Sequence, residues 1–149
     1  MSWNDLRKGR CSLSNSEYFI TFTTYQRHPL FLNHEAATCF SRQLAISERN
    51  TDSNWLAWVL MPDHFHGLLK LNNEANLAEV VKDIKGGSAF LLNKQFQLQG
   101  KCWQPAYYDR ALRRAQDRRA IARYIIANPL RAKLVSSVGD YPYWNAVYI

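Results

Sequence analysis

The chain has 149 residues, enough for one hydrophobic core and too few for two of ordinary size. With 47% hydrophobic and 21% charged residues it has the balance of a soluble globular domain rather than a disordered segment, and no apolar run approaches the roughly 18 residues of a membrane span. A net charge of +7 points toward a polyanionic partner such as nucleic acid.

Residues 1–17 mix Arg7, Lys8 and Arg10 with serines and asparagines and show no periodicity, so they read as a basic arm ahead of a single domain spanning 18–149. "YFITFTTY" at 18–25 is rich in β-branched and aromatic types and predicts a first strand. After His28-Pro29, "NHEAATCFSRQLAISERN" offers Asn33 as a cap and Ala37, Phe40, Leu44 and Ala45 as an apolar face, which predicts a helix. "NWLAWVLMPDHFHGLLKL" reads as two strands joined at Met61-Pro62-Asp63, because Pro and Asp favour turns and Pro cannot donate within a central ladder.

A second helix is predicted from the Asn76 cap through Leu77, Val80, Val81 and Ile84, with Gly86-Gly87 expected to weaken or kink it. "CWQPAYYDRAL" at 102–112 returns to strand character, and "AQDRRAIARYIIAN" at 115–128 is helical until Pro129 discourages the helix at Asn128. The tail, with "DYPYW" at 140–144, has no assigned form. The order β-α-β-β-α-β-α predicts an α+β fold: a ferredoxin-like antiparallel sheet plus a C-terminal helix.

Cys11, Cys39 and Cys102 are odd in number and lack CxxC spacing, which argues against a disulfide framework or a cysteine zinc site. With no signal-peptide core near Asp5, Arg7 and Lys8, the expectation is a cytoplasmic protein with reduced thiols and no membrane association.

Two positions call for chemistry. Residues two apart on a strand share a face, so His64 and His66 present their imidazoles together while Phe65 points the other way. A strand histidine can simply be satisfied by a neighbour, but an aligned pair is also two arms of a metal site. On the last helix, Tyr124 and Asn128 are four apart and differ by about 40° around the axis. They lie between the core stripe of Ile121, Ala122, Ile125 and Ile126 and the basic flank of Arg119 and Arg123. Tyr124 as a rim tyrosine and Asn128 as a helix cap are the structural alternatives. From Arg110 to Lys133 the only acid is Asp117, so this stretch is either a polyanion surface or a solvated helix face.

"MPDHFHGLL" resembles the HUH motif (histidine, bulky apolar residue, histidine), and "RYIIANPLRAKLV" resembles the tyrosine helix of the REP-associated tyrosine transposases. "YFITFTTYQRHPLF", "KDIKGGSAFLLNK" and "WQPAYYDRALR" resemble further segments of that family in the same order, so the likeness covers nearly the whole chain. It implies that His64 and His66 bind a divalent metal, Mg²⁺ or Mn²⁺, that Tyr124 is the nucleophile, and that Asn128 completes the metal site. Relatives often carry glutamine at the Asn128 position, and glycine is common where this chain has Lys133.

The implied activity is cleavage and rejoining of single-stranded or hairpin DNA, at REP-like palindromes, through a covalent 5′-phosphotyrosine. A monomer is implied, with a dimer as the alternative. Arg7, Lys8 and Arg10 are then candidates for reading a guide sequence, and Lys82, Lys85, Arg110, Arg113 and Arg114 for phosphate contacts. Trp103, Tyr107 and Tyr108 are candidates for stacking on unpaired bases. Two rival functions stay open: a DNA-binding module without catalysis, and a metal phosphodiesterase that activates water.

Overall fold

The computed structural model describes residues 16–73, 75–113 and 117–147. Its elements are β1 (Glu17–Thr23), α1 (His34–Thr51), β2 (Ser53–Met61), β3 (His64–Leu71), α2 (Leu77–Phe96), β4 (Tyr108–Ala111), α3 (Asp117–Ile126), α4 (Asn128–Arg131) and β5 (Trp144–Ala146), with short 3-10 turns between. The strands form one sheet in the order β4-β1-β3-β2-β5, every neighbouring pair antiparallel. The first four reproduce the expected ferredoxin-like arrangement.

Local sequence explains most of these boundaries. The Asn33 side chain accepts from the Ala36 amide and Asn76 from the Glu79 amide, each satisfying an otherwise orphaned donor at a helix start. β1 begins at Glu17, inside the segment read as an arm, and the Leu71 amide donates to the Ser16 carbonyl just ahead of it. Pro62 and Asp63 alone join β2 to β3. β5 was not foreseen: three residues are too few for an alternation pattern, and the strand exists because it pairs with β2 through Ala57, Trp58 and Val59.

The sheet has two covered faces. On one, Tyr18, Ile20 and Phe22 of β1 and Phe65, Leu69 and Leu71 of β3 pack with Phe40 and Leu44 of α1 and Val80, Val81 and Ile84 of α2. On the other, Phe19, Ala57, Val59, Met61 and Leu68 pack with Ala122, Ile125 and Ile126 of α3. A bulge between Trp55 and Ala57 shifts the alternation of β2, so that Trp55 and Leu60 both reach the first core. Gly67 is required by this packing, since a Cβ there would lie 2.6 Å from the Trp55 ring.

Gly86-Gly87 does not kink α2, which runs unbroken from Leu77 to Phe96. A Cβ on Gly87 would sit 2.6 Å from Nε2 of Gln43, so this glycine lets α1 and α2 approach closely. The last helix departs from expectation too. It stops at Ile126, turns at Ala127, and continues as the single turn α4 with Pro129 near its start, where a missing N–H costs little.

Lys133 follows with φ of 59°, a left-handed conformation that favours glycine. A side chain is therefore strained at this position. Lys133→Gly is expected to raise the thermal midpoint, by up to about 1 kcal/mol of stability; an unchanged or lowered midpoint in thermal unfolding would contradict this.

Candidate active site

His64 and His66 lie on the face of β3 that looks toward α3, with ring centroids 4.7 Å apart and planes nearly perpendicular. Each ring has one nitrogen already engaged. Nδ1 of His64 is 2.7 Å from Oδ1 of Asp63, and Nδ1 of His66 is 2.7 Å from Oγ1 of Thr21, its cross-strand partner on β1. If each Nδ1 carries the proton, both Nε2 lone pairs are left as ligand atoms, which is the usual effect of such partners on metal-binding histidines.

The turn that carries Asp63 is tied down from several sides. Its carbonyl accepts from the amide and hydroxyl of Thr24, and the Pro62 carbonyl accepts from the Phe31 amide. Oδ2 of Asp63 accepts from Nε of Arg27 at 3.0 Å. Arg27 reaches it from a tight turn in which Gln26 and Arg27 both adopt positive φ, at 55° and 57°. Burial works against ionisation of the Asp63 carboxyl, but the hydrogen bond and charge of His64 and the charge of Arg27 hold it below its ordinary range.

Burial, reinforced by the charges of His64, Arg131 and Arg27, pushes the His66 imidazole down to about 3. It is therefore neutral, the form that binds a metal, across the whole physiological range. Asp63→Ala is expected to weaken divalent-metal binding by about 10–100-fold, because it frees the His64 ring to rotate and change tautomer. Isothermal titration with Mn²⁺ checks this, and an unchanged affinity would remove Asp63 from the site.

Tyr124 projects from α3 and is 50% exposed. Its ring meets the edge of Phe19 with centroids 6.2 Å apart, and the other side of the same Phe19 contact network is His66, stacked on Phe19 at 5.7 Å. Phe19 thus links the tyrosine to the histidine pair within a single chain. Asn128 stands one turn later at the start of α4, half-buried, with its amide nitrogen donating to the Ile125 carbonyl at 3.3 Å. That bond uses the nitrogen and leaves the oxygen as the ligand-type atom. Among the described residues no group of three or more His, Cys, Asp or Glu could hold a metal ion, so a third ligand drawn from these residues would be of another type, such as this amide.

The α3 helix is held over its own sheet. Arg118 forms a two-pronged ion pair with Glu17 of β1, while Ala122, Ile125 and Ile126 are buried and Arg119 and Arg123 face solvent.

The predicted DNA contacts separate into groups. Arg110 is exposed and opposite Phe19 in the β1-β4 register, so it shares the histidine face; Arg113 is exposed just beyond β4. Tyr108 also lies on this face, with its ring edge-on to Phe19 at 6.1 Å. Lys82 is exposed on α2, in the opposite layer.

Two expectations need correction. Trp103 is 5% exposed, wedged among Phe22, Phe31 and Phe40 with its indole N–H on Ser88, so it is a core residue rather than a stacking platform. The Lys85 ammonium donates to the carbonyls of Gln104, Pro105 and Ala106, and beside the Tyr107 ring it braces that loop instead of offering itself to a phosphate. Arg7, Lys8, Arg10 and Arg114 lie outside the described residues. Arg131, Asp63, Thr21 and Arg27 were missed. Asp63 was read only as a turn residue, and the arginine in "NPLRA" was absorbed into the general basic run.

Among known proteins, a family described as "Transposase IS200 like" matches residues 12–128. A REP-associated tyrosine transposase of Escherichia coli (strain K12) is 30% identical over 91 residues, which are 58% of this chain and 50% of that protein, so the match spans half the length of this relative. A solved structure of a REP-associated tyrosine transposase bound to a REP hairpin superposes with a TM-score of 0.77 at 23% identity, covering 91% of this chain and 79% of the other. A crystal structure of a provisionally assigned transposase from Deinococcus radiodurans R1 superposes with a TM-score of 0.59 at 27% identity, covering 78% and 93%. These likenesses agree with the α+β fold described above. The chain belongs to the IS200-like transposase family.

Proposed function

We propose that this protein is a metal-dependent DNA strand transferase that cuts and rejoins single strands beside hairpins of the REP palindrome type, using Tyr124 as nucleophile. The observation that carries the reading is the convergence on Phe19: one aromatic ring touches both His66 and Tyr124. A nucleophile and two metal-type ligands are thereby assembled by one chain, which favours action as a monomer.

Mg²⁺ or Mn²⁺ would be held by Nε2 of His64 and His66 and by Oδ1 of Asn128, and would supply Lewis-acid polarisation of a phosphodiester. Nitrogen ligands favour Mn²⁺ of the two. The chain's own residues do the rest. The Tyr124 phenol oxygen attacks phosphorus, forming a phosphotyrosine bond to the 5′-phosphate of one fragment as the bond to the 3′ oxygen of the other breaks. The proton the phenol gives up is balanced by the one the departing 3′ oxygen takes up. Bond number is conserved, so a 3′-OH can later attack the phosphotyrosine and reseal a strand without ATP. The Arg27 guanidinium places positive charge near the histidine pair, where the anionic phosphate would sit. Arg110 and Arg113 extend that charge along the β4 edge, as a path for the DNA backbone.

The hairpin substrate follows from the REP-associated relative, solved on a REP hairpin. Strand polarity tests the reading. With hairpin oligonucleotides labelled at either end, the protein should become attached to the fragment 3′ of the cut, leaving a free 3′-OH on the other. Cleavage that yields a free 5′-phosphate and no attached protein would instead favour water as nucleophile, and binding without cleavage would favour a silent binding module.

A further inference from the structure

Tyr124 has a peculiar support. Half of the residue faces solvent, and its ring makes a T-shaped contact with Phe19. Arg131, seven residues later, lies over the same ring, with its guanidinium carbon 4.0 Å from the centroid. The same guanidinium donates from Nη2 to the Tyr124 backbone carbonyl at 2.7 Å. Residues seven apart share a face of a helix, and the chain stays near-helical through Ala127, so Arg131 lies two turns beyond Tyr124 on the same side and its length covers the remaining distance. One planar group therefore holds both ends of the tyrosine, stacking on the ring and gripping the backbone that carries it.

Building on the nucleophile assignment above, we propose that Arg131 is a positioning residue that clamps the Tyr124 ring against Phe19 so that the phenol oxygen is held on line for attack. Lysine cannot reproduce the device. An ammonium is compact and lacks the flat fork that stacks and donates at once. A phenol on an exposed helix flank would otherwise sample several rotamers, and misplacement of a nucleophile by about 1 Å costs on the order of 10²-fold in rate. The clamp acts in both directions of the reaction, since the same oxygen is attacking group in cleavage and leaving group in rejoining.

The test uses the full-length protein with Arg131→Ala and Arg131→Lys. In single-turnover reactions at saturating hairpin DNA and Mn²⁺, both variants should form the covalent adduct about 10²-fold more slowly. Hairpin affinity should stay within about twofold, and the covalent fraction at equilibrium should be unchanged because forward and reverse rates fall together. A wild-type rate in either variant would overturn the proposal. So would a rate loss mirrored in affinity with a flattened salt dependence, which would make Arg131 a phosphate contact.

A second measurement needs no DNA. In protein with ¹³C-labelled tyrosine, both substitutions should move the Tyr124 ring signals toward motionally averaged values while the other tyrosines stay put. Unmoved Tyr124 signals would overturn the clamp. If wild-type protein forms no adduct at all, the nucleophile assignment fails, and the ring signals still decide whether Arg131 orders Tyr124.

Discussion

Replacing Tyr124 by Phe is expected to abolish covalent attachment to DNA while leaving hairpin binding intact. The substitution removes one oxygen and keeps the ring that Phe19 and Arg131 hold, so neither the α3 packing nor the basic surface should change. Tyr124 is half exposed, so the lost hydroxyl leaves no buried group unpaired and stability should move by less than about 0.5 kcal/mol. Loss of the nucleophile should lower cleavage by at least about 10³-fold. A Tyr124→Phe protein that cuts at the wild-type rate would show that water attacks the phosphate.

His66→Gln is the second large effect, with metal-supported cleavage expected to fall by at least about 10²-fold as one of two imidazole ligands is lost. The His66 ring also fills space between Phe19 and Thr21, so the thermal midpoint is measured alongside to separate lost chemistry from lost fold. The same residue imposes a pH dependence on the metal-free protein. In the unfolded chain an imidazole takes up a proton near pH 6.5, whereas in the fold His66 resists protonation down to about 3. Between those values the unfolded state binds the extra proton, so stability falls as pH falls through the window. His66→Gln should flatten that slope in urea titrations between about pH 6 and 4. An equally steep slope in the variant would assign the acid sensitivity elsewhere.

The sequence made the central hairpin legible because its signals are local. Proline and aspartate mark the turn, and period-two spacing puts His64 and His66 on one face whatever the rest of the chain does. The caps at Asn33 and Asn76 were legible for the same reason. That Tyr124 would face those histidines was not readable from spacing; it came from the family resemblance, and the fold supplies its cause in the Glu17–Arg118 pair and the burial of Ile125 and Ile126.

What escaped the sequence depends on contacts between distant segments. Trp103 and Lys85 carry the residue types of a nucleic-acid surface, yet one fills a cavity among three phenylalanines and the other caps a loop about 20 residues away. Arg131 was hidden because its charge was read as one more in a basic run, whereas its role comes from a contact with the Tyr124 ring and backbone. β5 was hidden because three residues carry no alternation and its pairing partner, the edge of β2, is distant in sequence.

The most direct test of the whole account is incubation of the protein with Mn²⁺ and end-labelled hairpin oligonucleotides from its own genome's repeats, followed by denaturing electrophoresis. The account predicts a covalent protein-DNA band that needs Tyr124 and that EDTA abolishes. Tight hairpin binding with no covalent band, across several repeats and with both Mg²⁺ and Mn²⁺, would contradict it and leave a protein that holds its DNA without cutting it.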